Sequence, residues 1–212
     1  METPRSSNIN KGRLFVISGP SGVGKGTLVR ELCQRFPDIR VSISVTTRPS
    51  REGEREGIEY FFRSEEQFRG MIERSELLEY AQFVNGCFYG TPRAFVEEML
   101  AEGHDVILEI DVKGAMQVKS HWPQGVFVFI LPPSLAELKN RLRHRKTESE
   151  EAIQQRVSIA DQEMAYIPQF DYLVTNDDLK TAVDKLAAIL VAERCRVKGK
   201  KEKTDGSQLI TR

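Results

Sequence analysis

The sequence is poor in sulfur, in imidazole and in net charge. Its 212 residues carry three cysteines, three histidines and one tryptophan, and 31 Lys+Arg cancel 31 Asp+Glu. Cys33, Cys87 and Cys195 are odd in number and far apart, so they spell neither a disulfide framework nor a zinc motif. His104, His121 and His144 are equally scattered and point to no metal cluster. The neutral total excludes a globally basic nucleic-acid binder. The longest apolar run, at 126–133, falls far short of the ~20 residues that cross a bilayer, and METPRSSNINKGR shows no apolar signal region. The expectation is a cytoplasmic protein with reduced thiols that binds no membrane and no specific nucleic acid.

What is present suffices for one core with small inserted subdomains: 40% of residues are hydrophobic and 29% charged. Residues 14–17 are an apolar run that ends at GPSGVGKGT (19–27), after which Leu28, Leu32 and Phe36 recur at a spacing of four, which reads as strand, loop and helix. Val41, Ile43 and Val45 alternate with polar residues and predict one half-buried strand. From 48 to 63 four Arg and four Glu make a loop that leads into a short strand at 60–62. Ser64 with Gln67 three residues on predicts a capped helix through 72. The segments 77–84 and 87–89 flank Asn85-Gly86, a hairpin signal. Thr91-Pro92 opens a helix to 103. Apolar strands follow at 106–110, 126–131 and 172–174, with helical patterns at 112–119, 134–144, 150–166 and 179–191. Strands apolar throughout and alternating with helices predict an α/β fold, a parallel sheet covered by helices on both faces. The stretch from about 44 to 91 breaks the alternation and reads as an inserted lobe.

Gly19, Pro20, Ser21, Gly22, Val23, Gly24, Lys25, Gly26 and Thr27 contain the G-x-x-x-x-G-K core of a P-loop, placed between a strand and a helix as that motif requires. Glycines let the backbone turn its N–H groups around phosphate oxygens, and the lysine brings a point charge. The residue after the lysine, normally Ser or Thr on Mg²⁺, is Gly26 here. A direct side-chain ligand to the metal is therefore not expected. The G-K-G-T sequence is similar to that of nucleoside-phosphate kinases of the adenylate kinase type, which implies Mg²⁺ carried largely by phosphates and water, with Asp111 reaching it through water.

Seven stretches in chain order carry a further resemblance: GPSGVGKGT, SISVTTRPSREGEREGIEYFF, ELLEYAQFVNGCFYGTPR, ILEIDVKGA, the region of FVFILPPS, RLRHRKTESEEAIQQR and VTNDDL. Together, from about 13 to 193, the chain resembles the guanylate kinases, P-loop enzymes that phosphorylate GMP with ATP and Mg²⁺. The resemblance implies a P-loop core (12–43, 92–140, 167–197), a mixed α+β GMP-binding lobe (44–91) and a small helical lid (141–166), between a disordered N-terminus (1–11) and a disordered basic tail (198–212). It implies Arg48 and Arg51 on the acceptor phosphate with Tyr60 and Tyr89, Glu79 on the guanine N–H groups, Ser44 and Thr91 near guanine O6, and Glu109 and Asp111 at the end of a core strand facing GMP. It further implies lid arginines Arg141, Arg145 and Arg156 over the phosphates, and Asn176 and Asp177 beside adenine. The implied reaction is ATP + GMP to ADP + GDP, with dGMP as a further acceptor. Lys146 departs from the glycine common at that position.

Taken singly, these residues have plainer readings: Tyr60 and Tyr89 as strand aromatics, Glu79 and the arginines as solvated charges, Asn176-Asp177 as a turn. Arg143 fits a salt-bridged helix face beside Glu148, Glu150 and Glu151, and His144 a solvated helix end. Two rival functions are a non-catalytic interaction module built on the same domain, which the presence of Lys25 opposes, and a related kinase acting on ribose bisphosphate or another nucleotide. Charge is also unevenly spread. From 194 to the end there are seven Lys/Arg and two Asp/Glu, which leaves 24 positive against 29 negative residues in the rest.

Overall fold

A computed structural model describes residues 12–82, 86–144 and 149–197. Asn85, Arg145, Lys146, the N-terminal stretch and the basic tail lie outside the described residues.

Five strands form the core sheet: β1 (Leu14–Ser18), β2 (Arg40–Val41), β7 (Val106–Glu109), β8 (Val126–Leu131) and β9 (Tyr172–Thr175). Their order is β2-β7-β1-β8-β9 and every pairing is parallel. Alternate residues of these strands feed two separate cores, which is why the strands read as unbroken apolar runs. Phe15, Ile17, Ile107, Val128 and Ile130 pack on one face with Leu28, Val29 and Leu32 of α1 (Lys25–Arg35), Leu138 of α5 (Leu135–His144), Ile153 of α6 (Glu150–Met164) and Val183 of α7 (Leu179–Arg194). Leu14, Val16, Val106, Leu108 and Phe127 pack on the other face with Val96 and Leu100 of α3 (Arg93–Ala101) and Ala115 and Val118 of α4 (Val112–His121).

A second, mixed sheet lies between β2 and α3 in the chain: β3 (Val45–Thr46), β4 (Phe61–Phe62), β5 (Leu77–Gln82) and β6 (Phe88–Pro92), in the order β4-β3-β6-β5. It closes over Phe68 of α2 (Glu65–Glu73) with Val45, Leu77 and Phe88. The capping box at the start of α2 is formed as its sequence predicts, with the Gln67 N–H donating to Ser64 Oγ and the Ser64 N–H to Gln67 Oε1.

The single strand expected over 41–45 is instead two. Arg40–Val41 pairs with β7 in the core sheet, and Val45–Thr46 pairs with β4 and β6 in the second sheet. The chain changes sheets at 42–44, and a two-residue alternation cannot reveal such a switch because both halves keep the same period. The helix expected from Thr91-Pro92 begins one step later, because Pro92 ends β6 and caps α3.

The two sheets are not independent bodies. Leu78 is an extra residue in β5, inserted between Leu77, opposite Pro92, and Glu79, opposite Thr91. A bulge of this kind turns successive side chains to different neighbours. Leu77 joins the small cluster, whereas Leu78 is buried among the core residues around α3 and α4. Gln117 of α4 completes the join: its Nε2 donates to the Tyr80 carbonyl at 2.9 Å, and its Oε1 accepts the Tyr80 N–H at 3.2 Å. Leu78→Ala is expected to cost about 3 kcal/mol. Urea denaturation should show one cooperative transition at a lower midpoint, and two separated transitions would show that the lobe is held by other means.

Candidate functional site

At the carboxyl end of β1 the chain turns through Gly19, Gly22 and Gly24, all at positive φ (141°, 87° and 99°), before entering α1. Helices α2, α4, α6 and α7 have a side-chain cap at the N-terminus; α1, like α3, has none, and its first turn holds no acidic residue. The positive dipole end of α1 favours an anion there. Lys25 Nζ donates back across the loop to the carbonyls of Gly19 (2.6 Å) and Pro20 (3.2 Å).

The loop is braced from the far end of the chain. Asn176, buried at the end of β9, donates from Nδ2 to the Val23 carbonyl at 2.8 Å. Arg141 of α5 donates to the Asn176 carbonyl at 3.0 Å and toward that of Val23 at 3.4 Å, with Glu137 holding its Nε at 3.0 Å. Arg156 of α6 donates to Ser21 Oγ at 3.1 Å. The two described lid arginines thus converge on the P-loop. Arg143 does not: it pairs with Glu150 at 2.6 Å on an exposed helix face, as expected. His144 is exposed at the end of α5. Asp177 accepts the Asp178 N–H at 2.9 Å, an exposed turn beside the cap of α7, whereas the Asn176 side chain is committed to the P-loop.

In the second sheet Arg48 is almost fully buried. Its Nε donates to Tyr89 Oη at 3.3 Å, and its guanidinium lies 5.3 Å from the centre of the Tyr60 ring. Tyr60 and Tyr89 meet edge to face at 5.8 Å. The structure thus brings together three of the four residues expected around the acceptor phosphate. The fourth, Arg51, stands exposed in the same loop.

Glu79 is 5% exposed, and its Oε1 accepts the Thr91 hydroxyl at 2.7 Å. Burial pushes its carboxyl up to about 7, against the lowering effect of Thr91 and with some help from the charge of Asp111. The space for this carboxylate exists because residue 114 is glycine: a Cβ there would lie 2.6 Å from Glu79 Oε2. Asp111 caps α4 by accepting the Gly114 N–H at 2.7 Å, so its structural role is explicit. Ser44 is half-buried between the two sheets, its carbonyl accepting the Phe61 N–H at 2.9 Å.

Glu109 sits closer to the P-loop than its expected place with GMP suggested. A Cβ at Gly26 would meet both of its carboxylate oxygens at 3.3 Å. Gly26 thus leaves room for a carboxylate where a P-loop ordinarily carries a hydroxyl. Partial desolvation raises Glu109 above the normal carboxylate range, opposed by the charge of Lys25. Tyr60 also feels Glu109, so this residue stands within electrostatic reach of both the P-loop lysine and the arginine–tyrosine cluster. Glu163, near the end of α6, faces the same charges: burial raises it, with Lys25 and Lys113 opposing and Asp111 reinforcing. Sequence reading missed Glu163 because it lies within a charged helix with nothing local to single it out.

A sequence model of the family described as Guanylate kinase matches residues 11–193. The chain belongs to the guanylate kinase family. Two relatives named Guanylate kinase are 53% and 52% identical, from Desulfitobacterium hafniense (90% of this chain and 95% of the relative) and Caldanaerobacter subterraneus subsp. tengcongensis (91% and 93%). The crystal structure of guanylate kinase from Anaplasma phagocytophilum superposes with a TM-score of 0.72 at 31% identity, covering 89% of each chain. The guanylate kinase fold thus accounts for the parallel sheet flanked by helices. Among the described residues no helix is long and apolar enough to cross a membrane.

The Glu79 environment has a measurable consequence for this guanylate kinase family member. In the unfolded chain Glu79 ionises near 4.5; in the folded chain it does so at about 7. Between those values the native state keeps a proton that the unfolded state has lost. Its contribution to stability is therefore complete below about pH 4.5 and disappears as pH rises through 7. Glu79→Gln removes that loss. Its thermal midpoint should exceed the parent's at pH 8, by the equivalent of about 2–3 kcal/mol, and approach the parent's near pH 5. A constant difference across that range would exclude the linkage.

Proposed function

We propose that the protein transfers the γ-phosphoryl group of ATP directly to the phosphate of GMP, giving ADP and GDP, and to that of dGMP, giving ADP and dGDP, in the cytoplasm. The observation that carries the choice of acceptor is the buried Glu79 carboxylate paired with Thr91. Guanine presents a ring N–H and an exocyclic amine on one edge, and a carboxylate accepts both. Adenine offers no such pair, so AMP would leave a buried polar group without its partner, a mismatch that can cost about 10⁴-fold in selection. Ser44 stands near the guanine O6 in this reading.

The P-loop amides and Lys25 hold ATP. Arg48, Arg51, Tyr60 and Tyr89 hold the acceptor phosphate in line, and Arg141, Arg156 and Arg145 offset charge as it spreads over the equatorial oxygens. Asn176 serves the nucleotide side by fixing Val23, with Asp177 at its rim. No side-chain base is needed, because a phosphate monoester with a second pKa near ~6 presents an ionised nucleophile at neutral pH. Catalysis is positioning plus electrostatics, without a phosphorylated enzyme intermediate.

Mg²⁺ fits this donor set as a passenger on the nucleotide. Among the described residues no three His, Cys, Asp or Glu side chains are grouped as a metal cage, and the carboxylates at hand are Glu109 beside Gly26 and Asp111 at the head of α4. These are hard oxygen donors able to reach the ion through its retained waters. Held there through water by Glu109 and Asp111, Mg²⁺ would supply neutralisation of phosphate charge.

ADP formation measured with GMP, dGMP, AMP, UMP and ribose 1,5-bisphosphate tests the assignment. GMP should be used best and dGMP should follow, whereas efficient use of AMP but not GMP would overturn the reading. Lys25→Ala should abolish turnover with every acceptor, and Glu79→Gln should impair GMP use while leaving ATP binding intact.

A further inference from the structure

The Arg48 guanidinium is already occupied by a carboxylate. Glu54 Oε1 accepts from NH2 at 2.8 Å and Oε2 from NH1 at 2.9 Å, a two-pronged pair with side chains only 10% and 18% exposed. Glu54 Oε2 also accepts the backbone N–H of Arg51 at 2.8 Å. Arg48 spends two further donors nearby, NH1 on the Pro49 carbonyl at 2.6 Å and Nε on Tyr89. Four of its five N–H groups are thereby assigned, which leaves one on NH2. The pairing with Arg48 lowers the Glu54 carboxyl below its ordinary value.

Two roles are open to such a residue. It could be a stand-in that the acceptor phosphate displaces, or an anchor that remains. Displacement would give up two charge-assisted hydrogen bonds to Arg48 and strip the Arg51 N–H of its partner at the moment when both arginines must be in place. An anchor loses nothing. It closes the segment from Arg48 to Glu54 into a ring, sets the guanidinium against Tyr60 and Tyr89, and holds the Arg51 backbone on the same side. We infer that Glu54 is a positioning residue for the acceptor phosphate, acting through Arg48 and Arg51 and remaining paired when the acceptor binds. This deepens the reading of Arg48 as an acceptor-phosphate residue and rests on it. In this geometry Arg48 meets the phosphate through its last NH2 hydrogen and its field, while Arg51 supplies the open guanidinium fork.

The experiment compares Glu54→Gln and Glu54→Asp with the parent for KM of the acceptor, KM of ATP, kcat and thermal midpoint. Glu54→Gln should raise KM for GMP about tenfold, in keeping with the loss of a charge-assisted pair, with kcat changed less and KM for ATP unchanged. Glu54→Asp, which keeps the charge one methylene short, should recover part of that loss. In an Arg48→Lys background the further effect of Glu54→Gln on KM should shrink, because the group it positions is gone. A fall in KM for GMP would identify a displaced stand-in and overturn the proposal. An unchanged KM, or equal effects on the two substrates, would overturn it as well. If Glu54→Gln does not fold, Glu54→Asp decides: KM for GMP a few-fold above the parent's supports the anchor, and the parent's own value refutes it. The parent's acceptor panel stands apart from this comparison. A parent that prefers another acceptor would refute the GMP assignment, and the Glu54 effect would then be read on that acceptor's KM.

Discussion

Two phosphate-bearing substrates repel each other, and a chain of zero net charge must still hold them within reaction distance. The structure meets this constraint by fixing its cations beforehand. Lys25 is tied to loop carbonyls, Arg48 to Glu54, Arg141 to Glu137 and two backbone carbonyls, and Arg156 to Ser21. Arg48 and Arg141 are each held by a carboxylate, whereas Lys25 and Arg156 donate to carbonyl and hydroxyl oxygens. A cation held in place loses little entropy when its anion arrives. The uneven charge of the chain fits this: residues 1–193 are mildly acidic overall, yet Lys25, Arg141 and Arg156 meet at the P-loop and Arg48 is set against Tyr60 and Tyr89.

A short turn between β7 and α4 serves both sites at once. Glu109 lies against Gly26 of the P-loop, Asp111 caps α4, and Gly114 one turn later leaves the space that Glu79 fills. Strand β5, which carries Glu79, is fastened to the same helix by Leu78 and Gln117. Glu79 and the P-loop are therefore braced by one piece of the core, so their separation does not depend on a flexible linker.

Local signals were legible in the sequence wherever a few neighbouring residues decide the outcome. The apolar run before GPSGVGKGT, the capping box of Ser64 and Gln67 and the buried strands at 106 and 126 needed no distant partner to be recognised. The misreading over 41–45 has the opposite cause, since β2 and β3 are two-residue strands that exist only through pairing with β7, β4 and β6. The bulge at Leu78 is equally invisible, because an apolar strand residue says nothing about which of two cores it enters. Among the site residues, Arg48, Tyr60, Tyr89, Glu79 and Thr91 came from a family resemblance, and their own spacing would have left each with a plainer reading. Glu54 and Glu163 were missed for a related reason: each sits in a run of mixed charges where only the fold separates one glutamate from the next. Asn176 was expected beside a base; its amide also donates to the Val23 carbonyl of the P-loop.

That amide spans 153 residues of sequence, from the last strand back to the first loop. Strand β9 is an edge strand, added to the sheet beside β8 near the end of the chain. The phosphate loop is thus written near the beginning of the polypeptide but receives its brace only when nearly all of it is available. During synthesis the nascent chain would carry GPSGVGKGT exposed for most of its elongation without the clamp that sets its shape, so the ability to grip a triphosphate arrives late, together with the completed sheet.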